Sequence, residues 1–185
     1  MLALVAVLLA NADGRSGIFL AQLVGARSDR RVVVAIFYAA FIVHASVAAV
    51  AGAVANRMIG QGVAALLVAF AMFSAAAGLL WQGRGAVAAD TAVTARPAAL
   101  AGRMLVAQFG DRSHFLIGAL AATSGAGQWA AAGGGVGWTL AMLPFLAFGP
   151  ALAERRAARV IRWAAAATLL LWGARTALGA FGLID

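Results

Sequence analysis

The chain has 185 residues, of which 64% are hydrophobic and 11% charged, with a mean hydropathy of +0.95. A soluble domain carries about 25% charged residues, so this composition excludes an ordinary soluble globule. The net charge of +8 comes entirely from arginine, set in short segments between apolar runs. That placement sets orientation in a membrane and excludes a nucleic-acid surface. No cysteine is present, which excludes a disulfide framework or a thiolate metal site.

Taken in chain order, the first element is an apolar run over 2–24, interrupted at Asn11 to Arg15. Ala10-Asn11-Ala12 has the small residues of a leader cleavage site. No basic segment precedes it, however, and the apolar character resumes from Ile18, so an uncleaved span is expected. A helix needs about 20 apolar residues to cross a bilayer. The runs 32–54 and 58–81 meet this with no charged side chain except Arg57 between them. Runs over 97–122, within the uncharged stretch between Arg112 and Glu154, and over 162–183 bring the expected total to six.

The connecting segments test this count. Those over 25–31, 82–96 and 151–161 carry Arg27, Arg30, Arg31, Arg84, Arg96, Arg155, Arg156 and Arg159, whereas those over 55–57 and 123–128 carry only Arg57. The positive-inside rule then predicts a multi-pass protein of the cell inner membrane with both termini outside the cytoplasm.

Sliding the chain along itself sets Asn11-Ala12-Asp13-Gly14-Arg15-Ser16 over Gln108-Phe109-Gly110-Asp111-Arg112-Ser113. Three spans per half force the second half to enter from the opposite side. The expected fold is therefore an all-α membrane protein, six transmembrane helices as two inverted three-helix repeats. Residues 1–83 form the first repeat, 84–96 a cytoplasmic linker and 97–185 the second. Transporters of this design bind substrate near the midplane, on interrupted helices.

Asp13, Arg15, Asp111 and Arg112 fall near the middle of their spans, where each ionisable group costs about 2.5–3.5 kcal/mol, so partners or an aqueous cavity are required. On a continuous helix Gln108, Asp111 and Arg112 share a face, as do Asn11 and Arg15, while Asp13 points away unless Gly14 opens the helix. Gly110 offers the same freedom. An opened helix would surround Asp13, Asp111, Asn11, Gln108, Ser16 and Ser113 with oxygen, an environment suited to a hard cation.

Gln108-Phe109-Gly110-Asp111-Arg112-Ser113 resembles the Glu-x-Gly-Asp-(Lys/Arg)-(Ser/Thr) signature of uncharacterised protein family 0016, which includes transmembrane protein 165 and bacterial Gdt-type relatives. The resemblance implies two inverted three-helix halves with one signature each, and exchange of manganese or calcium against protons or other cations. It casts Asp13, Asp111, Gln108, Asn11, Ser16 and Ser113 as metal-site residues, supported by Arg15, Arg112 and His114. The chain departs from the family where Asn11 and Gln108 replace glutamates and where Asp13-Gly14 reverses the Gly-Asp order. Asp13 and Asp111 against Arg15 and Arg112 then sum to zero charge, which weakens divalent affinity and leaves only two carboxylates to titrate.

No enzyme is expected, and no cofactor beyond the transported divalent cation, Mn2+ or Ca2+. The expected partners are the bilayer and, as substrates, that cation and protons, with a homo-oligomer compatible and nucleic acid not. Two other readings stand beside exchange: a non-transporting scaffold with structural Asp–Arg pairs, and a small-solute exporter. His114 and His44 are expected as hydrogen-bonded interior side chains, with His114 also able to lend a proton-responsive group. Arg175 is expected to snorkel or pair with an aspartate. The Gly133–Gly137 stretch, lacking a strand before it, reads as close helix packing, and the Trp residues at 81, 129, 138, 163 and 172 as interface or packing positions.

Overall fold

The computed structural model describes residues 1–81 and 94–184. Arg84 and most of the expected linker over 84–96 lie outside them. The described residues form eight α-helices: α1 (Leu2–Ala10), α2 (Arg15–Ala26), α3 (Arg30–Met58), α4 (Gln61–Leu80), α5 (Pro97–Gln108), α6 (Arg112–Ser124), α7 (Gly127–Phe148) and α8 (Arg156–Ala180). A short 3-10 turn, Pro150–Glu154, joins the last two. Among the described residues there is no strand.

Local chemistry sets these boundaries. Pro97 opens α5 at its first turn, where a missing N–H and a fixed φ cost nothing. Asp111 caps α6 by accepting the Ser113 N–H at 3.1 Å, and Gly125, in the left-handed conformation at φ 66°, ends it. Each of the six apolar runs is helical, and the two motif-bearing runs are each divided at the motif. Three helices, α3, α4 and α7, are long and apolar enough to cross a bilayer, and a fourth span follows if α1 and α2, bent by 68°, are taken as one. The last helix is long but carries Arg156, Arg159, Arg162 and Arg175.

The halves pack through each other, α3 against α6, α4 against α8 and α1 against α7. Small residues let these helices approach closely, as membrane packing requires where lipid supplies no hydrophobic drive. A Cβ on Gly137 would collide with the Leu4 carbonyl, and one on Gly52 with the Gly118 carbonyl. The glycine-rich stretch of α7 is thus a packing surface, as expected from its sequence. Asn56 Nδ2 donates to the Ala122 carbonyl at 2.6 Å, adding a polar link between α3 and α6. Phe37 and Phe41 stack on the buried Trp138 ring, at 5.3 and 4.0 Å between centroids, fastening α3 to α7. Outside this Ala-rich core, Ile42, Val43, Val47, Val50, Phe70 and Leu171 are exposed, an outer surface as apolar as the interior and suited to lipid.

Candidate ion site at the meeting of two helix breaks

The Gly14 backbone, at φ 70°, and Gly110, at φ 74°, adopt the left-handed conformation that only glycine takes without strain. They divide the two motif helices, so neither expected continuous face exists. Asn11 and Gln108 terminate α1 and α5, while Arg15 and Arg112 begin α2 and α6. Opening of the first helix at Gly14 was the condition for Asp13 to turn inward, and it is met.

The two breaks touch. Asn11 Nδ2 donates to Ser113 Oγ at 2.8 Å and also to the Val7 carbonyl at 2.8 Å. Asp13 accepts a charge-assisted hydrogen bond from Arg112 Nη2, and Arg15 Nε stands 3.8 Å from the same carboxylate. The Asp13 and Arg112 side chains are 8% and 14% exposed, so their pairing is shielded from solvent, whereas Arg15 is 51% exposed. The reversed Asp-Gly order explains the asymmetry. Asp111 directly precedes its helix and caps it. Asp13 stands one residue ahead of the α2 N-cap, Gly14; its Oδ1 accepts the Arg15 N–H only at 3.4 Å, while its Oδ2 reaches across to Arg112 in the other half.

Beside this junction lies a cavity of about 1040 Å³. Asn11, Ser16, Gln108 and Asp111 line it, as do Arg15 and Arg112, but Asp13 does not. Of the six expected ligands, Asp13 is therefore committed to Arg112, and the fully buried Ser113 bridges Asn11 and Asp111. Among the described residues, no group of three or more His, Asp or Glu side chains is placed to hold a metal, so any ion here relies on amide and hydroxyl oxygens beside the single Asp111 carboxylate. The orientation of both amides is fixed by carbonyls that only accept. Gln108 Nε2 donates to the Phe37 carbonyl at 3.2 Å, which leaves its buried Oε1 without a partner. Asn11 spends both amide hydrogens and likewise presents its oxygen.

No known protein family, curated protein or solved structure matches the chain. The site therefore stands on its own geometry.

Three features escaped the sequence reading. Gln22 and Ser74 add polar lining to the cavity, and Gly78 makes room for Arg112, since a Cβ there would lie 3.0 Å from Nη1. Ser74 and Gly78 are four apart on α4, a small-residue pair on one face that could have been noticed. The histidines differ from each other. His44 Nε2 is 2.8 Å from the Leu105 carbonyl and donates to it, as an interior histidine should. His114, 6% exposed, has neither ring nitrogen partnered, against expectation, and packs on Phe41 and His44 outside the cavity lining. Arg175 is exposed and, among the described residues, makes no ion pair, consistent with snorkelling rather than pairing with an aspartate.

At one end of the helices, Arg27 Nε and Nη2 each donate to Asp29 at 2.7 Å, and Arg27 Nη1 donates to the Ala95 carbonyl at 2.7 Å. This clip joins the two halves ahead of α5. The Arg27 guanidinium holds the Asp29 carboxyl below the usual carboxylate range, and Asp29 in turn raises Arg27.

Proposed function

We propose that the chain is an integral membrane cation exchanger, built as six spans in two inverted halves with both termini outside the cytoplasm. Its cargo is a divalent cation, manganese or calcium, exchanged for protons, the first of the counter-ions that the motif resemblance implies. The observation that carries this reading is the contact of two glycine-opened helix breaks, Asn11 to Ser113 and Asp13 to Arg112, beside a cavity into which the motif's polar residues are gathered. Interrupted helices meeting between inverted halves are where such transporters bind their ions. Asp111 is the carboxylate left to attract a cation, with the Asn11 and Gln108 oxygens and the Ser16 hydroxyl beside it. Asp13 and Arg112 hold the halves in register.

The scaffold reading draws on the Asp13–Arg112 pair, which alone would lock the halves without any ion. It leaves the buried, unpartnered Gln108 Oε1 unexplained, and an orphan acceptor costs about 1–3 kcal/mol. The test is flux in proteoliposomes loaded with manganese or calcium on one side, comparing wild type with Asp111→Asn. Flux that disappears with Asp111 supports exchange; flux unchanged by the substitution, or absent from both folded proteins, favours the scaffold.

A further inference from the structure

Proton exchange needs groups that titrate where the ion binds. Among the described residues lining the cavity, Asp111 is the sole carboxylate; Asn11 and Gln108, in the places of two glutamates, cannot take up a proton. Asp13 is committed to Arg112 and is not part of the cavity lining. Among the described residues, the remaining titratable neighbours are His114 and His44. Helices α1, α4 and α7, which also pack on α6, contain no titratable side chain, and α3 brings His44. Neither histidine lines the cavity.

The oxygen atoms point to a different counter-ion. Asn11 Oδ1 and the buried Gln108 Oε1 are neutral acceptors whose amide nitrogens are held elsewhere. Gln108 is only 8% exposed, so its orphan oxygen is a built feature of the wall. Both residues sit at helix C-termini, α1 and α5, where the macrodipole favours a cation. Half-helix C-terminal ends coordinate sodium or protons in other inverted-repeat transporters. Asp111 adds one negative charge, its Oδ1 engaged by Ser113 and its Oδ2 without a partner among the described residues. The Arg112 charge is paired with Asp13, and Arg15, half exposed, stands 3.8 Å from the same carboxylate. One carboxylate with neutral oxygens matches a single positive charge.

We propose that the counter-ion bound between Asn11, Gln108 and Asp111 is a monovalent alkali cation, sodium or potassium, in place of the proton. This rests on the exchange reading for its role in transport, but binding can be measured without transport. The purified full chain, unfolded thermally in choline chloride, sodium chloride or potassium chloride at equal ionic strength, should gain at least about 3 °C in Tm at saturating alkali cation over choline. The larger of the two alkali shifts identifies the ion. The gain should vanish in Asp111→Asn and in Gln108→Leu, each checked for intact helicity, and persist in His114→Gln. Equal Tm in all three salts, or an alkali shift undiminished in Asp111→Asn, overturns the proposal. Divalent flux in proteoliposomes separates the two readings. Flux driven by a pH gradient alone, with no alkali shift, leaves exchange standing and removes the alkali site. An alkali shift with no flux under either gradient retains the site and removes exchange.

Discussion

At the residue scale, the Asp13–Arg112 pair and Asp111 divide two roles that a repeated motif would otherwise give to both halves. Removing one partner of a shielded ion pair strands the other, at a cost of about 3–5 kcal/mol, whereas removing both is far milder. Asp13→Asn and Arg112→Gln should each lower Tm sharply, and the double substitution should recover most of the loss; a double-mutant cycle of thermal unfolding reads the coupling directly. Asp111→Asn leaves no buried cation unpaired, so it should cost far less stability. Charge restoration acts in the opposite sense. Asn11→Glu with Gln108→Glu should tighten manganese binding by more than about tenfold, or 1.4 kcal/mol, in calorimetric titration. No gain would mean that these side chains do not face the ion.

At the element scale, the breaks are the features on which the site depends, and they differ in what surrounds their glycines. Gly14 lies against the Phe145 ring, while nothing stands within 4 Å of a Cβ on Gly110. Alanine at Gly110 therefore meets only backbone strain, about 1–2 kcal/mol. At Gly14 the same strain is joined by overpacking of about 1–3 kcal/mol against α7. Thermal unfolding should rank Gly14→Ala well below Gly110→Ala, and equal losses would contradict the packing of the first break. The Arg27–Asp29 clip has a pH signature. Because Asp29 is held below its unfolded value of about 3.9, its contribution is complete above that pH and fades as pH falls through the lowered value. Asp29→Asn should flatten the corresponding segment of the acid-unfolding curve. Gly14 and Gly110 were legible as hinges from their place beside charges at mid-span. The consequence of reversing Asp13 and Gly14 was not, because capping depends on which residue immediately precedes the first helical turn. The tie from Arg27 to Ala95 was also hidden, since it joins residues distant in sequence through a backbone carbonyl.

At the scale of the molecule, hydropathy alone located all six helical runs, since lipid-facing and buried positions are equally apolar and leave long uninterrupted segments. It overstated how readily each crosses a bilayer, because arginines dilute α8 and the breaks divide two runs into short helices. The repeat aligned the two motifs in sequence, and the fold sets Asn11, Gln108, Asp111 and Ser113 in one region. Which acid remains available was not legible, for pairing between halves is a tertiary choice that spacing does not encode. The small residues at Gly52, Gly118 and Gly137 mark where the halves approach.

The account turns on Asp111 attracting the cation while Asp13 and Arg112 only join the halves. Equilibrium binding of manganese to the purified protein, followed by its paramagnetic resonance, compares wild type, Asp111→Asn and the Asp13→Asn/Arg112→Gln double variant. Binding should be lost in the first variant and kept in the second; equal binding in wild type and Asp111→Asn, or loss confined to the double variant, would contradict it.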